Sequence, residues 1–300
     1  MTTEQTTANG LSITYEDKGP RDAPVILLVM GLGGQLTLWP DEFVDALNAR
    51  GFRTIRYDNR DVGLSTRFEA AGVPNLKWMF VKAAIGLPVR PAYTLADMAA
   101  DGMALLDRLG IERAHIVGAS MGGMIAQHIA ARYPERVLSL TSIMSTTGNR
   151  RLPRARKEAM QVLANRPMGG DPEDMIAYSV RAARVIGSPG YPAEEARLQR
   201  RVRADYERGF YPQGVARQMA AIVADGDRRA MLKDVQAPTL VIHGEDDPLV
   251  PLAGGRDTAA SIAGARLMTI PGMGHDLPLA LVDTLTGAIA EHAKDAVVAA

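Results

Sequence analysis

Ala114-His-Ile-Val-Gly-Ala-Ser-Met-Gly-Gly-Met-Ile-Ala-Gln-His-Ile129 is the stretch on which the fold turns. Its first half, Ala114 to Gly118, is a short apolar run with β-branched residues, which predicts a strand buried on both faces. From Met121 to Tyr133 the apolar residues recur at helical spacing. Between the two lies Gly118-Ala-Ser-Met-Gly122, a G-x-S-x-G turn in the strand-turn-helix setting that this motif requires. A turn this sharp strains its central residue, and side chains at the flanking positions collide with neighbouring elements unless they are glycine. Ser120 is therefore expected above the carboxyl edge of a sheet, near a helix N-terminus whose amides and dipole favour developing negative charge.

Outward from this turn the same alternation continues. Pro24–Met30, Arg53–Tyr57, Val137–Ser142, Thr239–His243 and Arg266–Ile270 read as buried strands, and Leu11–Glu16, with its apolar-polar alternation, as an antiparallel edge strand. Helices are predicted at Asp41–Arg50, Leu95–Leu109, Gly254–Ala263 and Leu279 to about Val298. The order is that of an α/β fold with a mostly parallel, doubly wound sheet. From Thr147 to Ala230 the strand signal stops and about four helices follow, separated by Pro167-Met-Gly-Gly170 and Gly187-Ser-Pro-Gly190. This divides the chain into a core domain, residues 1–146 and 231–300, and an inserted helical cap, residues 147–230. The insertion carries 16 Lys/Arg against 10 Asp/Glu, read as solvated helix faces.

Composition narrows the function classes. The 300 residues are 47% hydrophobic, enough for a large core, and 34 basic residues balance 34 acidic ones. No net field draws such a chain to nucleic acid. Without cysteine there is no disulfide, thiolate metal site or cysteine nucleophile. The longest apolar stretch, Pro24–Gly34, falls short of the ~20 residues that span a bilayer. Met1-Thr-Thr-Glu-Gln-Thr-Thr7 has no basic or apolar leader, so a cytoplasmic protein with no membrane span is expected. Leu76–Ile85 is unusually apolar for its place between a strand and a helix. It reads as a pocket-lining helix, an apolar wall against the insertion, or a weak membrane-surface anchor. The first two are favoured, because only Lys77 and Lys82 offer it a cationic face.

A serine hydroxyl needs a base. Among five histidines, His115 falls in a strand, while His128 and His292 fall in helices. His243 ends a strand just before an acid-rich loop. His275, in Pro271-Gly-Met-Gly-His-Asp276, sits on a glycine-rich loop directly after the last strand, where it can swing over the sheet edge. The base in turn needs an acid. Gly244-Glu-Asp-Asp-Pro-Leu-Val-Pro251 supplies candidates, and Asp247, its turn held by Pro248, is chosen over solvent-facing Glu245 and Asp246. The chain order Ser120, Asp247, His275 is that of the α/β-hydrolase triad. Backbone amides of Met121 and of Leu32, in Met30-Gly-Leu-Gly-Gly34, are the expected oxyanion donors. The latter turn is not a dinucleotide fingerprint, since Leu36 stands where G-x-G-x-x-G needs glycine. No metal and no cofactor is expected.

From Leu11 to Val298 the chain resembles the α/β-hydrolase family, with a helical cap. Met30–Gly34, Trp39-Pro-Asp-Glu-Phe43, Arg56-Tyr-Asp-Asn-Arg-Asp-Val-Gly-Leu-Ser65 and Ile270–His275 are similar to the aclacinomycin methylesterase group, which hydrolyses a methyl ester on a polyketide. The resemblance implies the same triad. It departs from the wider family at Met30, where a histidine is common, and at Asp61, where the common Asp-x-Arg-Gly turn has glycine. It implies a serine carboxylesterase or methylesterase but does not fix the substrate; an expected apolar lining suits small to medium apolar esters, and the neutral chain allows monomer or homodimer alike. The expected pocket lining is Gly31, Trp78, Met79, Phe80, Met160 and Leu249. Rivals with the same triad are a lactonase, a cofactor-free perhydrolase and a hydrolase of carbon–carbon bonds; a non-catalytic ligand receptor is the rival from another class.

Overall fold

In the computed structural model, which describes residues 3–165 and 167–298, a single eight-stranded sheet organises the chain. The elements run β1 (Glu4–Ala8), β2 (Leu11–Lys18), β3 (Val25–Val29), α1 (Asp41–Ala49), β4 (Arg53–Tyr57), α2 (Leu76–Ala84), α3 (Leu95–Arg108), β5 (Ala114–Ala119), α4 (Met121–Arg132) and β6 (Val137–Ile143). Then come α5 (Lys157–Ala164), α6 (Pro172–Ile186), α7 (Glu195–Gly209), α8 (Pro212–Asp225) and α9 (Arg229–Leu232), with no strand between them among the described residues. β7 (Thr239–Gly244), α10 (Leu252–Ser261), β8 (Arg266–Ile270) and α11 (Val282–Val298) complete the chain. The outermost bounds of the expected core domain, residues 1 and 300, lie outside the described residues, as does Arg166 within the expected cap.

Strand order is β1-β2-β4-β3-β5-β6-β7-β8, antiparallel at β1/β2 and β2/β4 and parallel elsewhere. Leu11–Glu16 is antiparallel as expected but is not the edge, because β1 pairs outside it. Glu4-Gln-Thr-Thr lacks apolar alternation, and its strand exists only through the ladder that β2 offers. The other boundaries move by a few residues: α10 starts at Leu252 behind Pro251, and Leu279–Leu281 is a 3-10 turn before α11. Leu76–Ala84 is a helix whose start is fixed by Asn75, its side chain accepting from the Trp78 N–H.

The central strands are buried on both faces. Val25, Leu27 and Val29 join one apolar cluster with α3 and α4, while Ile26 and Leu28 join the other with α1 and α11. Alternation along β3 therefore feeds two cores, the reason the run reads as continuously apolar. Strand order reverses around β3, whose neighbours are β4 and β5. In open sheets of this kind the crevice beyond the carboxyl ends at such a switch is where ligands bind. Parallel pairing of Val29 with Gly118 sets the turns after β3 and β5 side by side there.

His115 fills a structural role in β5. Its Nδ1 lies 2.9 Å from Ser139 Oγ, its Nε2 is buried without a partner, and burial pushes its pKa down to about 4. Unfolded, this imidazole takes a proton below about pH 6.5, whereas folded it stays neutral until about 4, so stability falls as pH drops through that window. The His115→Gln variant should lack this part of the acid slope, worth on the order of 1–3 kcal/mol by pH 4. Chemical denaturation at several pH values checks it; identical slopes in both proteins would refute it.

Candidate active site

β5 ends in a turn in which Ser120 takes φ 57°, ψ −120° as N-cap of α4. The strain is held in place from several sides. Ser120 N–H donates to Ile143 O at 2.9 Å, and Ser145 Oγ donates to Ser120 O at 2.8 Å. A Cβ at Gly118 would strike the Gly122 carbonyl, and one at Gly122 would strike the Val29 carbonyl. Only glycine permits this approach of helix to strand at both flanking positions.

His275 reaches this turn from the loop after β8. Its Nε2 lies 2.9 Å from Ser120 Oγ and its Nδ1 2.7 Å from Asp247 Oδ2. A carboxylate only accepts, so the imidazole proton sits on Nδ1, and the Nε2 lone pair faces the serine hydroxyl. The other oxygen of Asp247 accepts from the N–H groups of Leu249 and Val250, each at 2.8 Å, which fixes the carboxylate in a turn through Pro248. Asp247 and His275 are buried, and Ser120 is partly open to the cleft.

Side chains outside the triad hold these loops. His243 Nε2 lies 2.8 Å from Val250 O behind Asp247, and burial lowers its pKa, so it braces the turn as a neutral donor. Asp246, expected to face solvent, is partly buried, and its Oδ2 accepts from Gly272 N at 2.9 Å; the loop that carries His275 is short enough to fold back over it. Glu245 is exposed and accepts from Thr269 Oγ1 at the surface. From the inserted helices, Ile186 O accepts from His275 N at 2.7 Å and Ser188 Oγ from Gly274 N at 2.8 Å. Ser188 also donates to Asp276, a carboxyl whose pKa burial raises.

The turn after β3 lies against Ser120. A Cβ on Gly31 would stand 3.0 Å from Ser120 Cβ and 3.5 Å from its Oγ. The Gly31 carbonyl accepts from Gly34 N at 3.1 Å, which orients the Gly31–Leu32 peptide plane and therefore the Leu32 N–H on its opposite side. Met121 opens α4, so its N–H has no intrahelical acceptor. Two buried amides from distant positions complete the turn. Asn59 Nδ2 donates to Met30 O at 2.9 Å. Gln218 of α8 accepts from Gly33 N and donates to Arg60 O, both at 2.8 Å.

Of the expected pocket residues, Gly31 lies against Ser120 and Leu249 belongs to the Asp247 turn. Met79 is buried on the inner side of α2. Trp78, Phe80 and Met160 are exposed instead of lining an enclosed pocket. Helix α2 turns only Met79 and Ala83 inward, and α5 only Ala159, which leaves these larger side chains in water. Among the remaining histidines, His128 Nε2 meets Asp225 at 2.7 Å and His292 Nε2 the carbonyls of Leu140 and Pro238 at 3.2 Å, so both serve helix docking.

A sheet of this order with a serine at the strand–helix turn and histidine and aspartate on the two last loops is the plan of the α/β hydrolases. The family model described as the alpha/beta hydrolase fold matches residues 24–279, and the chain belongs to that family. It is 31% identical to a rhodomycin D methylesterase of Streptomyces sp. (strain C5), over 99% of this chain and 100% of that one. It is 28% identical to a bifunctional esterase/perhydrolase of Acinetobacter calcoaceticus, over 93% of this chain and 95% of that one. A solved hydrolase from Pseudomonas aeruginosa superposes with a TM-score of 0.70 at 29% identity, covering 97% of each chain.

Proposed function

We propose that this protein is a serine carboxylic-ester hydrolase, of carboxylesterase or methylesterase type, acting on small to medium apolar esters. The observation that carries the reading is the unbroken relay from Asp247 Oδ2 through His275 to Ser120 Oγ, at 2.7 and 2.9 Å. The names of the relatives, methylesterase and esterase/perhydrolase, support the same chemistry. His275 takes the Ser120 proton as Oγ attacks the ester carbonyl, and the oxyanion is received by the N–H groups of Leu32 and Met121. The protonated imidazole gives that proton to the leaving alkoxide, and alcohol departs. Water, deprotonated by the same nitrogen, then attacks the acyl-serine and releases the acid. On this reading residues 147–230 form a cap over the core, and the cycle uses only protein groups, substrate and water. p-Nitrophenyl esters of increasing acyl length test it: turnover should peak at short or medium chains. No turnover of any ester, together with no labelling of Ser120 by a fluorophosphonate, would overturn it in favour of a ligand receptor.

The Acinetobacter relative's name favours one second reading, in which hydrogen peroxide replaces water in the last step and the acyl-serine leaves as a peroxyacid. Peroxide added to the assay distinguishes the two, since a perhydrolase diverts acid product into peroxyacid.

Gln218 carries a further expectation. Holding the Gly33 amide fixes the oxyanion turn before substrate arrives, so its loss should act on the transition state more than on binding. Gln218→Met, similar in length but without either hydrogen bond, should lower kcat by about 10-fold with little change in KM. Gln218→Glu keeps an acceptor for Gly33 N–H and should recover part of the loss. A Gln218→Met enzyme with unchanged kcat would show that the turn holds without it.

A further inference from the structure

Exposed apolar side chains gather on α2 and just beyond it. Trp78, Phe80, Val81, Ile85 and Leu87 keep 54, 47, 48, 64 and 49% of their surface in water, while Met79 and Ala83 face inward. Lone exposed apolar residues are common, but five within ten positions form a patch that calls for a partner. Its surroundings are cationic. Lys77, Lys82 and Arg90 lie on the same segment, and residues 70–96 contain no Asp or Glu. The fold adds Arg150, Arg151, Arg154, Arg156 and Lys157, from a stretch 136–157 that is likewise free of carboxylates. These are distant in sequence, yet Arg150 donates to the Ala83 carbonyl, which ties the start of the second basic segment to α2. All five are exposed, and among the described residues none of the eight cations stands in an ion pair.

We infer that α2 and the strip 150–157 form a docking surface for an anionic membrane. Aromatic and branched side chains bounded by Lys and Arg suit the layer between headgroups and acyl chains, where rings enter and cations meet lipid phosphates. A second copy of this chain is the less suitable occupant: a two-fold contact sets the same patch against itself and brings cation against cation. The attachment is peripheral, since no helix among the described residues is long and apolar enough to cross a membrane.

The chain's two tryptophans make the test specific. Trp39 is fully buried and Trp78 is exposed, so a change in intrinsic fluorescence on adding vesicles reports α2. With phosphatidylcholine vesicles containing phosphatidylglycerol, the emission should shift to the blue and the protein should co-sediment. Raising salt from about 0.1 to about 0.5 M should weaken binding at least tenfold. Phe80→Glu/Ile85→Glu and Arg151→Glu/Arg154→Glu should each weaken it tenfold or more, with unchanged circular dichroism and melting temperature. Equal binding to pure phosphatidylcholine, or no binding to anionic vesicles, overturns the inference. So does a blue shift that grows with protein concentration in the absence of lipid, which would assign the patch to self-association.

Discussion

Replacing Ser120 by alanine should lower ester turnover by roughly 10^5- to 10^6-fold, the scale on which a serine nucleophile acts together with its base. Nothing in the turn depends on the hydroxyl for folding. The bonds that hold Ser120, from its N–H to Ile143 and from Ser145 to its carbonyl, use backbone atoms that alanine retains. Melting temperatures of the two proteins should therefore agree within about 2 °C. Ser120→Gly sharpens the argument. A side chain at φ 57°, ψ −120° costs about 1–3 kcal/mol, and glycine escapes it, so this equally inactive variant should melt no lower than the parent. Substantial turnover by Ser120→Ala would remove the serine from the mechanism, whereas a large drop in its melting temperature would mean that the hydroxyl has a structural role.

The largest stability effect is expected at Asp61. Its carboxylate accepts Arg217 Nε and Nη2 at 2.8 Å each, the Tyr93 hydroxyl at 2.7 Å and the Phe68 N–H at 2.7 Å, all in the interior. Arg217 places two further donors on Gly72 O and the Tyr211 hydroxyl. Asp61→Asn keeps the shape and tolerates φ 66°, but it leaves the Arg217 charge buried and uncompensated. Breaking a buried pair from one side costs about 3–5 kcal/mol, so the melting temperature should fall by roughly 6–15 °C. Removing both charges in Asp61→Asn/Arg217→Met should restore much of that loss, because desolvation of the lone guanidinium is the larger part of it. A loss below about 1 kcal/mol in the single variant would show that water reaches the pair.

Much of this was legible because the decisive signals are local. The alternation of β-branched runs and helical spacing identifies the buried strands, and Gly118 and Gly122 announce the close approach that lifts Ser120. Pro248 beside Asp247 and the glycines before His275 likewise mark loops. Contacts between remote positions leave no such mark. Gln218 meets Gly33 across 185 residues, and Ser188 meets Gly274 across 86, each an ordinary polar residue on a helix or turn. β1 was hidden because its residues are polar and its strand depends on a neighbour. Asp61 stands out in the sequence for replacing glycine, and only the fold explains it: the backbone there is left-handed, which glycine favours, and the side chain is retained for Arg217. Trp78 and Phe80 misled because an apolar helix looks alike whether it lines a pocket or faces outward.

The inserted helices grip the core at two places that matter, through Ile186 and Ser188 on the His275 loop and through Gln218 on the turn after β3. This has a consequence for how such enzymes diversify. On the proposed reading, in which this segment caps the substrate site, it is also a jig that aligns parts it does not contain, so the two duties are inherited together. Recombination that swaps the whole insertion between relatives should mostly produce folded but sluggish chimeras. Grafts that exchange α5 to the start of α6, or the outer face of α7, while retaining 186–190 and 218, should keep their rate and change only what they accept. Drift in this lineage is then channelled, with the anchoring positions acting as fixed points around which the rest of the insertion wanders.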